Sequence, residues 1–220
     1  PRLKESEIQK LYSSDSYFTE YSGTEKSYRE QENSLKRTYQ RLVTSLQKQG
    51  LTGGRLLEIG CAHGLLLKQA RPYFSYRAGT DFSTAALARA EQHAHEVWQG
   101  GIEAVPPNAD KFNLIVASNV IEHVYRPMEF MKKIQEKLSP QGTVILATPK
   151  FGGFWLSVFR KNWPSYKVPE HVSFYTPHHL RLLCQQSGFK KVQDFSFPHY
   201  FPVNLIFSKL NLKPLPWRYR

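Results

Sequence analysis

The stretch RLLEIGCAHGLLLKQA, residues 55–70, runs apolar from Leu56 to Ile59 with one acid, Glu58, set into it. It then turns through Gly60 and Gly64, with Cys61, Ala62 and His63 between them, and becomes apolar again. An apolar run, a glycine turn and a second apolar run read as a buried strand feeding a helix. Glycine at such a turn lets the backbone approach a ligand closely, and a helix start presents unpaired N–H groups. The dinucleotide pattern G-x-G-x-x-G is not met, because Leu65 stands where its third glycine belongs. An acid just before the turn also repels a pyrophosphate and suits instead a ligand carrying an amino group.

Working outward, the chain alternates strand and helix. Strands are predicted at Arg55–Ile59, at Tyr76–Thr80 ending in Asp81, weakly at Glu96–Trp98, at Phe112–Ser118 and at Thr143–Thr148. Helices are predicted over 64–71, from a Ser83 or Thr84 cap through His93, and from Pro127 to a stop at Pro140–Gly142. Upstream, Leu35, Tyr39, Leu42, Val43 and Leu46 recur at helical spacing within 27–48. Residues 149–175 break the rhythm with glycine, proline and tryptophan. A helix then opens with Thr176 as cap and Pro177 in its first position, and stops at Gly188. FKKVQDFSF (189–197) is read as a further strand, and 199–212 as a final strand and helix. Strands apolar on both faces, alternating with helices, imply a parallel sheet covered on both sides. Asp81 ends the second strand 17 residues after Gly64, where a carboxylate accepts hydrogen bonds from ribose hydroxyls. The crevice therefore calls for a ribose and a cationic group, without phosphate.

S-adenosyl-L-methionine meets that description. The segments LLEIGCAHG, AGTDFS, FNLIVASNVIEHV and LSPQGTVILATP, in this order, resemble class I S-adenosylmethionine-dependent methyltransferases. PEHVSFYTPHHLRLLCQQSGF is similar to the C-terminal part of a subgroup with ubiquinone-type O-methyltransferases and enzymes of glycan and natural-product clusters. The resemblance implies an α/β, Rossmann-like fold. Its mostly parallel seven-stranded sheet would be flanked by helices, with an N-terminal helical lid and an insertion after strand 5. It implies one domain over 1–220: an arm and helix (1–50), a cofactor-binding core (51–150), and an insertion, helix and terminal strands on the substrate side (151–220). Glu58, Gly60, Cys61, Ala62 and Gly64 would border the methionine part of the cofactor, Asp81 the ribose, and Phe82 the adenine. Ser118 and Asn119 would line the methionine end. Ala62 replaces the usual middle glycine, and Gly101 stands where an acid often meets the adenine amino group. Adenine contact would then rest on backbone at Gly101–Ile102, or on Glu103. Each residue also has a plain structural alternative: turn glycines, Asp81 capping the next helix, Glu58 as a structural acid, and Cys61 as a small packed residue.

After the fourth strand the chain carries SNVIEHV, not the D/N-P-P-Y of amino-group methylation. His123 is the first candidate for a base, with a rate–pH limb expected near its unperturbed value of about 6.5, and His171 the second. A histidine packed at the start of the next helix is the alternative for His123. Glu122, His123 and His171 are also similar to the metal-binding set of small-RNA 3′-end 2′-O-methyltransferases, which place another acid where this chain has Asn119. The reading nonetheless assigns no metal. Tyr17, Tyr21 and Tyr28 are read as a lid, and Arg160 and Lys167 as contacts to an anionic acceptor.

The 220 residues carry a formal charge of +12, and 151–220 hold ten Lys/Arg against Glu170 and Asp194. A solvated basic face, an anionic acceptor, a membrane surface and nucleic acid all suit that surplus. No apolar run reaches the ~18 residues of a transmembrane helix, so membrane contact would be peripheral. Two distant cysteines, Cys61 and Cys184, point to a reducing, cytoplasmic setting. The expected activity is O-methylation of a small molecule (a sugar, a quinone or phenol, or another secondary metabolite) by a monomer or homodimer, releasing S-adenosyl-L-homocysteine. The alternatives are an RNA methyltransferase, against which stands the lack of an RNA-binding module, and a non-catalytic partner subunit.

Overall fold

The computed structural model describes Glu7 and residues 25–152, 156–157, 166–168, 170–198 and 200. Five parallel strands form its sheet: β1 (Gly53–Ile59), β2 (Phe74–Asp81), β3 (Glu96–Gln99), β4 (Phe112–Ser118) and β5 (Leu138–Ala147). Their order is β3-β2-β1-β4-β5, so β1 lies at the centre. The helices are α1 (Glu25–Lys48), α2 (Leu65–Ala70), α3 (Thr84–Ala90), α4 (Pro127–Lys137) and α5 (Pro177–Gln186).

The pleat of β1 splits the core in two. Leu56 packs with Leu114 and Val116 against Leu42, Val43 and Leu46 of α1, Leu66, Leu67 and Ala70 of α2, and Leu87 and Ala90 of α3. Leu57 and Ile59 pack with Ile115 and Ala117 against Phe130, Met131 and Ile134 of α4 and Leu183 and Cys184 of α5. Leu42, Val43 and Leu46 are 0–1% exposed. Full burial of such a side chain contributes about 1.5–3 kcal/mol, so α1 is part of the fold. The Thr38 Oγ1 of α1 also accepts the Tyr200 N–H at 3.0 Å.

The largest boundary shifts flank the third and fourth helices. The helix after Ser83 ends at Ala90, three residues before His93, with the Ser83 hydroxyl accepting from the Ala86 N–H. The α4 helix stops at Lys137, before the Pro140–Gly142 breaker, and the chain passes directly into β5. Leu138 pairs with Phe112 and Thr143 with Leu114, so residues 139–142 bulge out of the ladder. A bulge is a position where a proline, which donates no N–H, is tolerated within a sheet.

Seven strands were expected; the sheet among the described residues has five. Residues 189–197 form no strand. Phe189, Val192 and Phe195 recur every third residue, a spacing that does not follow the two-residue period of a strand with one buried face, and Phe189 and Val192 pack on the core from irregular chain. The segment is held instead by the Phe189 N–H donating to the Cys184 carbonyl and by an Arg181–Asp194 ion pair at 2.5 Å. The expected elements at 199–212 lie outside the described residues, Tyr200 excepted. At α5 the reading holds: Thr176 caps through the His179 N–H, Pro177 opens the helix, and Gly188 takes a φ of +90° after it.

Candidate active site

Because the strands are parallel, the C-terminal ends of β1, β2 and β4 meet along one edge. The chain winds outward from β1 in both directions, through β2 to one side and β4 to the other. That reversal opens a crevice beyond the strand ends, the usual ligand site of such sheets. Gly60, Cys61, Ala62 and Gly64 form the loop on its floor. Gly60 and Gly64 have φ of +69° and +71°. A Cβ on Gly60 would stand 2.8 Å from Val120 Cγ2, and one on Gly64 2.9 Å from the Ala90 backbone. Gly64 thus lets α2 and α3 meet. Ala62 also takes a left-handed φ, +45°.

Asp81 holds this loop. Its Oδ2 accepts from the Ala62 N–H at 2.9 Å and its Oδ1 from the Ser83 N–H at 3.0 Å. The cap of the following helix is Ser83, so Asp81 does not itself cap that helix but holds the cap residue's N–H, and each of its oxygens retains further acceptor capacity. Burial raises its pKa, against the pull of those N–H groups. Glu58 is 2% exposed, on the β1 face that meets α2. A Leu67 backbone hydrogen bond favours its charge, while burial and the Asp81 charge push its pKa well above normal. Its Oε2 has no hydrogen-bond partner among the described residues. Cys61 is buried, with Sγ 2.7 Å from where a Gly79 Cβ would be, and burial beside Glu58 and Asp81 raises its pKa. It is a packed thiol, not a nucleophile.

Phe82 follows Asp81, its carbonyl accepting from Gln99 Nε2 at 3.3 Å. Ile102 is 1% exposed, its side chain packed into the core beneath the crevice. Glu103 Oε1 already accepts the Gly101 N–H at 3.1 Å. Beyond β4, Asn119 takes φ +55° while its N–H donates to the Ala147 carbonyl at 2.7 Å and its Nδ2 to Ser118 Oγ at 3.4 Å. Asparagine is among the few residues that adopt this conformation readily.

The next turn, Ile121–His123, carries Glu122 and His123. The segment 170–173 folds onto it: the Val172 and Ser173 N–H groups both donate to the Glu122 carbonyl, at 2.9 and 3.1 Å. This brings His171 to His123, ring centroids 4.7 Å apart and nearly perpendicular. His123 Nδ1 lies 3.0 Å from the Glu170 carbonyl oxygen. A carbonyl only accepts, so Nδ1 carries the hydrogen and Nε2 the lone pair. Burial and the neighbouring His171 lower the His123 pKa to about 4. The expected limb near pH 6.5 is thereby corrected: this imidazole stays neutral through the physiological range. Glu122 is 1% exposed, and burial lifts its pKa to about 7, against Thr148 and the Lys167 charge. No hydrogen bond of good geometry reaches either carboxyl oxygen or Thr148 Oγ1 among the described residues, so the Thr148 hydroxyl acts on Glu122 only as a nearby dipole.

Lys167 belongs to this neighbourhood, its charge acting on both Glu122 and His123. Tyr17, Tyr21 and Arg160 lie outside the described residues, as does the side chain of Tyr28, which sits on α1. Sequence reasoning missed the aromatic wall beside His171. Tyr166 stacks on Phe174 at 5.1 Å, and Phe174 stands 6.1 Å from the His171 ring. Tyr166 comes from irregular chain without periodicity, so no local pattern marked it.

A doubly wound sheet with an acid at each of its first two strand ends, and glycines in place of a phosphate loop, defines a protein that binds an amino-bearing nucleoside. The buried, unpartnered Glu58 Oε2 fits S-adenosyl-L-methionine in that role. The chain belongs to the methyltransferase-domain family, which matches residues 28–194. It is an S-adenosyl-L-methionine-dependent methyltransferase of class I. It is 25% identical over 172 residues to a ubiquinone biosynthesis O-methyltransferase of Aromatoleum aromaticum, covering 72% of this chain and 73% of that one. The counterpart in Aeromonas salmonicida is 27% identical, at 70% of each chain. In fold it is similar to magnesium protoporphyrin IX methyltransferase from Synechocystis with bound S-adenosylhomocysteine, at TM-score 0.64 and 14% identity over 90% of this chain and 96% of that one.

Proposed function

We propose that the enzyme methylates a hydroxyl oxygen of a small molecule (a sugar, a phenol or a quinone precursor) that carries an anionic group. The observation behind this reading is the Glu122–His123–His171 cluster just past β4, beside the crevice and within reach of the Lys167 charge. The names of the relatives support an oxygen acceptor. Bound S-adenosyl-L-methionine supplies a methyl on a sulfonium, so that a C–O bond forms as the C–S bond breaks and its electron pair stays on sulfur. The chain's task is to align the acceptor, exclude water and let the hydroxyl proton leave. Asp81 accepts from the ribose, Phe82 and the Ile102 backbone border the adenine, and Glu58 draws in the cofactor's amino group. Gly60, Cys61, Ala62, Gly64, Ser118 and Asn119 line the methionine end. His123 Nε2 and His171 face the acceptor hydroxyl, Lys167 and Arg160 its anionic group, and Tyr17, Tyr21 and Tyr28 cover the site. No helix among the described residues is long and apolar enough to cross a membrane, and we assign the enzyme to the cytoplasm.

The test is an acceptor screen read by released S-adenosylhomocysteine. A carboxylated or phosphorylated phenol or sugar should turn over. His123→Ala should then cut turnover by at least about 10²-fold, with S-adenosylhomocysteine affinity held. Turnover of amines or RNA alone would defeat the proposal.

A further inference from the structure

We propose that Arg77, Arg71, Lys68 and His93 form a binding site for a phosphate group, carried by inorganic phosphate or a small phosphomonoester. The site lies outside the methyl-transfer crevice and does not depend on the acceptor assigned there. Arg77 stands in β2 four residues before Asp81, about 13 Å back along the strand. It shares a face with Gly79, which meets Leu67 of α2. Its side chain lies between the ends of α2 and α3, and the residue is 8% exposed. Nε donates to the His93 carbonyl at 3.2 Å, and Nη1 to the Phe74 and Arg71 carbonyls at 3.0 and 3.4 Å. Nη2, which carries two more N–H groups, has no partner among the described residues.

All three acceptors are neutral carbonyls. A buried cation is costly unless a negative group meets it, yet no carboxylate acts on Arg77. Burial lowers its pKa, and the Arg71 charge lowers it further. His93 feels the same field from the other side. Burial lowers its pKa, and the Lys68 and Arg71 charges push the same way against a bond to the Gln92 backbone. Lys68 and Arg71 are exposed, and neither is in an ion pair among the described residues. Three cations and a histidine thus converge with no acid to balance them.

An anion balances that charge, held by Arg77 Nη2 and by the long Arg71 and Lys68 side chains. Guanidinium meets phosphate through paired N–H groups, and lysine meets it as a point charge. A phosphate group carries about −1.5 to −2 at pH 7, which suits several cations better than one carboxylate does. The last carbonyls of a helix repel an anion. At α2 the Arg71 carbonyl is already engaged by Arg77, whose charge offsets that negative end. The six-residue α2 starts at the glycine loop and ends at this site. Bound phosphate therefore pins the far end of the helix whose near end carries the cofactor loop.

The test titrates the isotope-labelled full chain with sodium phosphate, with chloride holding the ionic strength constant. NMR should show the Arg77 Nε–H and the His93 ring shifting together and saturating. The His93 pKa should rise with phosphate, because an anion offsets the Lys68 and Arg71 charges. Lys68→Ala and Arg71→Ala combined should weaken binding at least about tenfold. Lys167→Ala should leave it unchanged, and S-adenosylhomocysteine should bind alongside phosphate. Glycerol 3-phosphate distinguishes the source: displacement of inorganic phosphate at the same resonances supports a monoester ligand, and no displacement supports the free ion. Shifts that never saturate, a double variant that binds as tightly as wild type, or competition from S-adenosylhomocysteine would overturn the site. Loss of binding in Lys167→Ala would overturn it too, by placing the phosphate beside the methyl acceptor. Should the double variant not fold, the wild-type His93 pKa still decides: a rise upholds the site and no change refutes it.

Discussion

Replacing Asp81 by alanine strands two backbone donors at once. The Ala62 and Ser83 N–H groups now donate to its carboxylate at 2.9 and 3.0 Å. Leaving a buried donor unsatisfied costs about 1–3 kcal/mol, which puts the two together at roughly 2–6 kcal/mol. Removing a desolvated carboxylate returns part of that, since burial already raises the Asp81 pKa. A net loss of about 3 kcal/mol is expected, or roughly 6–12 °C in Tm for a chain of this size. The ribose would lose a charged acceptor as well. Hydrogen bonds to charged groups contribute about 1.5–3 kcal/mol, so S-adenosylhomocysteine affinity should fall by roughly 10- to 100-fold. Calorimetric unfolding of the unliganded variant reads the first effect, and titration calorimetry reads the second. An unchanged Tm would refute Asp81 as the clamp between the glycine loop and α3. Unchanged affinity in a destabilised variant would refute it as the ribose acceptor and leave the clamp intact.

Gly64→Val should be insoluble or destabilised by about 3 kcal/mol or more in a denaturant melt, because its Cβ would stand 2.9 Å from the Ala90 backbone at a φ of +71°. Deleting residues 1–24 spares α1 and should leave the melting curve nearly intact while turnover drops, and an unfolded truncation would show that the arm belongs to the core. Unliganded stability should respond to pH through Glu58 and Asp81. Both folded-state pKa values are raised, so this contribution is complete below the unfolded values near 4 and is lost as pH rises through the raised ones. Glu58→Gln should therefore flatten the decline in Tm from pH 5 to 8 and weaken S-adenosylhomocysteine binding, whereas an unchanged slope would place the titration elsewhere.

The central strands were legible because they are apolar on both faces: Phe112–Ser118 was bounded to the residue, and β1 and β2 were missed only at their ends. Thr176, Pro177 and Gly188 marked α5 because cap, first-turn proline and left-handed glycine act locally. Residues 189–197 misled through composition, their aromatics suggesting a strand although their three-residue spacing lacks a strand's two-residue period. The glycine loop and Asp81 could be named from the sequence, but not their mutual hydrogen bond. That bond depends on the β1–β2 register, in which Glu58 lies opposite Gly79 and Ile59 opposite Thr80. The His123–His171 contact spans irregular chain, so a family likeness suggested it where periodicity could not. The same gap hid the depressed His123 pKa, which is a property of its burial.

The chain leaving β5 and the chain returning to α5 are stitched together at their bases. Lys150 pairs with Tyr175, the Phe151 N–H donates to the Tyr175 carbonyl at 2.9 Å, and Val172 and Ser173 are fastened to Glu122. The two stems, 150–151 and 172–175, are thus held side by side, and the sequence between them is one continuous segment. Transplanting a different sequence between those stems should change which molecules the enzyme accepts while His171 keeps its place, so that new specificities arise by swapping one continuous segment and leaving the transfer apparatus alone.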